Sequence, residues 1–270
     1  MQLNEKLLME SVKNATETTY LTHNYHPFPA KFIPHIPQIL IQQYSERGDT
    51  VFDPFCGSGT TLVEATLLGR KSIGTDINPI SVLASKVKTT SLSSEEIEVI
   101  ETCISALEES NPKADYSRQI PDFHGRDHWF MPPVQNELAM LRSTITNLTE
   151  PESSTRLFLD LAFSSIVNLV SNQDSDTRYA AVEKDVPVGK PTKLMIQRTT
   201  MMLDRMKDFV TKAEDVTADA GLADSRQLGF IEDASIDLLV TSPPYANTYD
   251  YYLYHKHRMN WLGLNWKGAM

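Results

Sequence analysis

Thr50-Val51-Phe52-Asp53-Pro54-Phe55-Cys56-Gly57-Ser58-Gly59-Thr60-Thr61 is the stretch on which the fold turns. Its first four residues read as a short strand closing on a carboxylate, and a glycine-rich turn follows. Leu62 to Gly69 then carries helical spacing with a glycine stop. Lys71-Ser72-Ile73-Gly74-Thr75-Asp76 reads as a second strand. Strand, turn, helix and strand in that order predict a parallel pair joined by a right-handed crossover, the unit of an α/β fold.

Outward from this unit the pattern changes. Residues 1–48 read as helical or irregular, punctuated by His26-Pro27-Phe28-Pro29-Ala30-Lys31-Phe32-Ile33-Pro34. From about Ile80 to Asp215 the spacing is helical without a strong parallel-strand signal, and Ser171-Asn172-Gln173-Asp174-Ser175-Asp176 is expected to be a polar loop. Strand patterns resume in a short run near Val216–Ala220 and at Ile236–Val240, the latter leading into Ser242-Pro243-Pro244-Tyr245. The expected organisation is a core half over 1–90, a helical insertion over 91–215 and a second core part over 216–270.

Composition narrows the classes. With 41% hydrophobic and 22% charged residues the chain is an ordinary globular one. No apolar run exceeds strand length, so no membrane span is expected. Two cysteines, Cys56 and Cys103, cannot form a disulfide framework and fit a reducing cytoplasm. A net charge of -10 argues against broad nucleic-acid binding, since phosphate contacts need local cations. One basic stretch stands out: Lys184, Lys190, Lys193, Arg198, Arg205, Lys207 and Lys212 against Asp185, Asp204 and Asp208, which also reads as a solvated helical face.

Small residues after Asp53 let backbone N–H groups approach a ligand, and the following helix presents its positive end. No lysine follows the last glycine, which excludes a nucleoside-triphosphate loop. Asp76, 19 residues after Gly57, stands where dinucleotide-binding folds place an acceptor for ribose hydroxyls. A turn or helix-cap role beside Asn78-Pro79 is the structural alternative. Two prolines ending an apolar strand stop ladder pairing abruptly and project Ser242 and Tyr245 beyond the sheet; a rigid turn is the plainer reading.

Together these segments resemble the amino-directed DNA methyltransferases. Phe52 to Thr61 is similar to that family's cofactor loop, and Thr241-Ser242-Pro243-Pro244-Tyr245 to its catalytic motif, which reads Asp/Asn/Ser-Pro-Pro-Tyr/Phe. Pro29-Ala30-Lys31-Phe32 resembles its second cofactor-contacting motif, and Ala223-Asp224-Ser225-Arg226 the acidic motif that meets the cofactor adenine. The resemblance covers roughly residues 23–90 and 216–263. It implies a Rossmann-like sheet and S-adenosyl-L-methionine as cofactor, held by Phe32, Asp53, Pro54, Phe55, Gly57, Ser58, Gly59, Thr60, Asp76, Ile77 and Asp224. Ser242, Pro243, Pro244 and Tyr245 would be catalytic on a flipped DNA base, with no metal. Serine before Pro-Pro tilts the family pattern toward cytosine N4 over adenine N6. Carbon-5 methylation is excluded, because neither cysteine is placed as a nucleophile.

The family usually adds three strands after the catalytic one, whereas this chain stops 25 residues after Tyr245. The sheet is therefore expected to be incomplete, with a second polypeptide supplying the rest or with activity lost. An RNA amino-methyltransferase and a non-catalytic subunit of a split enzyme are the rival expectations. Asn247 to Arg258 interleaves aromatic and basic residues, as stacking and phosphate contacts or an amphipathic core helix would require. His124, Arg126, Asp127, His128 and Trp129 form a polar cluster without an assigned chemistry.

Overall fold

The computed structural model describes residue 13 and residues 17–175, 178–245 and 251–264. Asp176 of the predicted polar loop and residues 247–250 of the aromatic segment lie outside the described residues. The helices are α1 (His35–Tyr44), α2 (Thr60–Leu67), α3 (Pro79–Thr89), α4 (Ser94–Glu108), α5 (Arg126–Trp129), α6 (Pro132–Leu148), α7 (Ser154–Val167), α8 (Lys190–Val210) and α9 (Tyr251–Leu262). The strands are β1 (Thr50–Asp53), β2 (Lys71–Asp76), β3 (Gln173–Ser175), β4 (Arg178–Ala181), β5 (Ala218–Leu222) and β6 (Leu238–Leu239).

Two compact units result. The first takes its described residues from Met1–Asn24, Ala30–Thr90 and Lys207–Tyr249, the second from Tyr25–Pro29, Ser91–Met206 and Asp250–Met270. The first unit holds a parallel sheet in the order β5-β2-β1-β6. Parallel neighbours need crossovers, and α2 supplies the one between β1 and β2. Three of the four β1 residues are buried, as a strand covered on both faces requires. Val51, Ile41, Ala65 and Val240 form one apolar cluster, with Phe32, Leu40, Leu68 and Leu238 packed on it; Cys56, Leu62, Val82 and Ala220 form a second. The chain is thus α/β, with a Rossmann-like parallel sheet.

The two strands predicted around the glycine turn form over the expected residues. The other two differ. β5 runs two residues later than expected, Ala218–Leu222, because its register places Ala220 beside Gly74 and Leu222 beside Asp76. β6 is ladder-paired only at Leu238 and Leu239, opposite Val51 and Phe52. It forms the sheet edge among the described residues, and Leu239 on it is 55% exposed.

In the second unit the expected polar loop is instead an antiparallel hairpin, β3 with β4. Gln173 is buried in it, although its neighbours are polar. The carboxylate of Glu137 on α6 meets the start of α8: its Oε2 accepts from Gly189 N at 2.9 Å and its Oε1 from Thr192 N and Oγ1 at 2.9 and 2.6 Å. Those N–H groups lack intrahelical acceptors, and an anion there also faces the positive end of the helix dipole.

α9 decides between the two readings of the aromatic and basic segment, in favour of the core helix. His255, His257 and Arg258 are buried, so they offer no surface to phosphate. Arg258 donates to Ser164 O and Tyr254 O at 3.0 and 2.6 Å. His257 stacks on Tyr179 with ring centres 5.5 Å apart and lies 4.8 Å from Trp129. The helix is a core element of its unit. No helix among the described residues is long and apolar enough to cross a membrane.

Candidate functional site

The carboxyl ends of β1, β2, β5 and β6 gather the polar residues singled out above. β1 ends at Asp53, which is 2% exposed. Its Oδ1 accepts from Phe55 N at 3.1 Å and from Thr241 Oγ1 at 2.7 Å. Burial pushes the Asp53 carboxyl above its ordinary range and nearby Asp76 adds to this, while the Thr241 and Phe55 bonds oppose it.

The glycine turn is held from three sides. Cys56 N donates to Thr75 O at 2.9 Å, and Thr75 Oγ1 to Pro54 O at 3.2 Å, tying the turn to β2. Gly57 N donates to Asp76 Oδ2 at 3.0 Å. From α3, Ser85 Oγ reaches Gly57 O at 3.3 Å and Lys88 Nζ reaches Ser58 O at 2.7 Å. Gly59 has φ +79°, and a Cβ there would lie 2.8 Å from the Cα of Ser85. Only glycine combines that backbone with that approach. Ser58 and Thr60 face each other, Oγ to Oγ1, at 3.4 Å. Lys88 is fully buried, and burial holds its ammonium well below the ordinary lysine range.

Asp76 serves the turn on both sides, its Oδ1 accepting from Asn78 N at 2.8 Å. Asn78 rather than Asp76 caps α3, through Oδ1 and Ile80 N at 2.9 Å, with Pro79 in the first turn. Burial raises the Asp76 carboxyl, and its backbone bonds oppose the rise. Besides Gly57 N and Asn78 N, the Ser81 hydroxyl and the Ile77 amide also favour the ionised Asp76 carboxylate.

Ile77 and Leu222 lie just beyond or at the ends of β2 and β5, 48% and 63% exposed, and Phe55 on the turn is 36% exposed. Leu222 was not among the sequence expectations. Its register opposite Asp76 is the signal, and that register depends on the two-residue shift of β5. Two residues on, Asp224 is bound by Arg226, with Nε on both carboxylate oxygens at 2.9 and 3.0 Å and Nη2 on Oδ2 at 2.6 Å. That guanidinium holds the Asp224 carboxyl down to about 2.

Past β6, Ser242 is half-buried, and Pro243, Pro244 and Tyr245 are exposed. Phe32 packs against the apolar cluster around Val51. Nearer the N-terminus, the buried Glu64 of α2 accepts on Oε1 from Tyr20 OH at 2.5 Å and pairs there with His23 Nε2 at 2.7 Å. His23 stays below its ordinary pKa because burial outweighs Glu64. The cluster at His124–Trp129 lies elsewhere, in the second unit, where Arg126 and Gln135 both donate to Asp127.

A glycine cradle between the buried Asp53 and the half-buried Asp76, beside exposed apolar residues, suits a ligand with hydroxyls, a flat ring and a positive centre.

Comparison with known proteins converges on the same segment. A family described as DNA methylase matches residues 6–86. The chain is similar to the type II methyltransferase M.MvaI of Kocuria varians, 31% identical over 92% of this chain and 59% of that protein. It is similar to the type II methyltransferase M.BsoBI of Geobacillus stearothermophilus, 26% identical over 91% of this chain and 53% of that protein. A third relative is the type II methyltransferase M.MjaII of Methanocaldococcus jannaschii, 34% identical over 39% of this chain and 19% of that protein. The chain spans little more than half the length of the first two. No solved structure matches it.

Proposed function

From a chain that belongs to the amino-directed DNA methyltransferase family, we propose the activity of the whole protein: transfer of a methyl group from S-adenosylmethionine to an exocyclic amino group of a flipped DNA base. Cytosine N4 is favoured over adenine N6, on the serine before Pro243-Pro244. One observation carries the proposal. Asp53 and Asp76 flank a glycine turn on adjacent parallel strands, and the strand on the other side of β1 leads directly into Ser242-Pro243-Pro244-Tyr245.

The cofactor fits the residues present. Asp76 would accept from the ribose hydroxyls in exchange for part of its bonding to the turn. Ile77 and Leu222 would cover the two faces of adenine, and Asp224 would take its amino group by giving up part of its bond to Arg226. Asp53, with Gly57 to Thr60, would face the amino-acid end, where Phe55 shields the positive centre from water. Phe32 and Pro54 support this end from the core side. When bound, the cofactor supplies an electrophilic methyl group on a sulfonium.

The chain's own residues then act on the base. An exocyclic amine is a weak nucleophile because its lone pair is delocalised into the ring. Ser242 Oγ and the Pro243 carbonyl accept from its two N–H groups and hold it nearer a tetrahedral geometry. The fixed φ of Pro243 and Pro244 keeps that carbonyl in place. Tyr245 stacks on the flipped base, whose extraction costs a few kcal/mol of unstacking. Positioning supplies most of the acceleration. DNA is the proposed partner. A further strand covering the open side of β6, from this protein or a second polypeptide, would remove an apolar edge that soluble sheets avoid.

Titration calorimetry with S-adenosylmethionine tests the cofactor, and methyl transfer to DNA tests the reaction. Saturable binding, and transfer that drops on the order of a hundredfold in Ser242→Ala with binding kept, is the expected result. Folded protein that does not bind the cofactor overturns the proposal.

A further inference from the structure

Thr241 opens the stretch that carries the catalytic motif, yet the chemistry proposed for Ser242 to Tyr245 gives it no role. It joins that stretch to the cofactor loop. β1 and β6 run in register, Val51 beside Leu238 and Phe52 beside Leu239, and Val240 N donates to Phe52 O at 3.0 Å. One step further the ladder ends, and a side-chain bond replaces it: Thr241 Oγ1 donates to Asp53 Oδ1 at 2.7 Å. These residues are 188 positions apart in the chain. Thr241 is half-buried, Asp53 is buried, and Ser242 is the next residue.

We propose that Thr241 is a positioning residue that locks the cofactor-facing carboxylate of Asp53 to the strand end carrying Ser242, so that the cofactor site and the amine-holding site share one hydrogen bond. The proposal rests on the functional reading above. The hydroxyl has two consequences. It fixes the rotamer of Asp53, because Phe55 N and Thr241 Oγ1 converge on the same oxygen. It also fixes the direction in which the chain leaves β6, immediately before the two prolines remove further ladder donors.

The same bond favours the ionised form of Asp53, which a positively charged ligand requires. The groups acting on that carboxylate are Asp76 of β2, Thr61 of α2, Phe55 N–H of its own turn and Thr241 of the neighbouring strand end; the Cys56 thiol feels it in return. Burial and Asp76 work against ionisation, so the hydroxyl and amide bonds hold the charge. Removing one of them raises the carboxyl's titration midpoint, and ligand affinity then falls further at low pH than at high pH.

Thr241→Val keeps the shape and removes the donor, and Thr241→Ser restores the donor without the methyl group. The expected result for Thr241→Val is cofactor affinity reduced on the order of tenfold at high pH and more at a pH close to the Asp53 midpoint, the loss of one hydrogen bond to a charged group. Thr241→Ser should bind like the parent at both pH values. Methyl transfer at saturating cofactor should also fall in the valine variant and recover in the serine variant. Equal losses in both variants, a loss independent of pH, or parental behaviour of Thr241→Val would each overturn the inference. The ¹³C carboxyl titration of Asp53, read without any cofactor, separates this result from the functional reading. A midpoint raised in Thr241→Val and restored in Thr241→Ser upholds the bond even if the parent protein binds no S-adenosylmethionine, and an unmoved midpoint refutes it.

Discussion

The carboxyl edge of the parallel sheet and the core around α9 both bury titratable side chains, and they treat them in opposite ways. At the sheet edge, Asp53 and Asp76 keep hydrogen-bond donors on their carboxylates while burial raises them. Around α9, His255 and His257 have ring nitrogens with no hydrogen-bond partner among the described residues, and burial drives both below the ordinary histidine range. On the proposed function, the first arrangement keeps polar groups organised for a ligand. The second uses imidazoles as flat apolar fillers against Tyr179, Trp129 and Phe28. Polar residue types are thus a poor guide to function here, and position relative to a strand end is a good one.

The largest break of this contrast is Asp76→Ala. It removes the acceptor for Gly57 N and Asn78 N and for the proposed ribose hydroxyls. Cofactor affinity should fall by roughly a hundredfold or more, several hydrogen bonds to one charge being lost together. His257→Phe, read by the same calorimetry, should leave affinity at the parental value.

Next in size is Gly59→Ala. The added Cβ meets the backbone of Ser85 at a positive φ, and the stability loss should be about 2–3 kcal/mol by chemical denaturation. Gly189→Ala, also at positive φ but with nothing within 4 Å of its Cβ, should cost about 1 kcal/mol. The difference measures the close approach at the turn.

Acid should then act on the two units with opposite signs. His257 is pushed down to about 3, chiefly by burial and further by Lys256, Arg258 and His128. A folded-state pKa below the unfolded one means that the unfolded chain binds the proton first. Stability therefore falls as the pH drops below about 6.5, and the loss from His257 reaches about 2 kcal/mol at pH 5. Asp53 and Asp76 are raised, so protonation near and below their folded midpoints favours their folded state. Hydrogen exchange at pH 7 and pH 5 should show protection lost first in peptides from α7 and α9, and His257→Phe should blunt that loss. Earlier loss in β1 and β2 would contradict this sign.

A local effect is expected of Glu137→Gln. The amide turns a donor toward Gly189 N–H or Thr192, and the start of α8 should loosen by about 1–2 kcal/mol. Exchange in the first turn of α8 should report it, with the parallel sheet unchanged.

Much of the sheet edge was legible in the sequence because it is local. β1, the glycine turn and β2 lie within 27 residues, Thr50 to Asp76, where alternation, glycine and a terminal carboxylate all carry meaning. Ser242-Pro243-Pro244 was legible for the same reason, since proline announces the end of a ladder. Lys88, Leu222 and the hydroxyl of Thr241 were not. Each acts through a partner distant in sequence: Ser58 for Lys88, the Asp76 register for Leu222, and Asp53 for Thr241. The hairpin β3–β4 escaped, and the burial of α9 stayed one of two readings, because polar and aromatic spacing is shared by loops, nucleic-acid surfaces and mixed cores. Only tertiary packing separates them.

The central claim is that the carboxyl edge of β1, β2 and β5 holds S-adenosylmethionine. Photo-crosslinking with methyl-labelled cofactor, followed by peptide mapping, tests it most directly. Label confined to peptides containing Asp53–Thr61, Asp76–Ile77 or Leu222–Asp224, and lost on competition with unlabelled cofactor, is the predicted result. Competable label in peptides of α7 or α9 instead, or none in a folded protein, would contradict it.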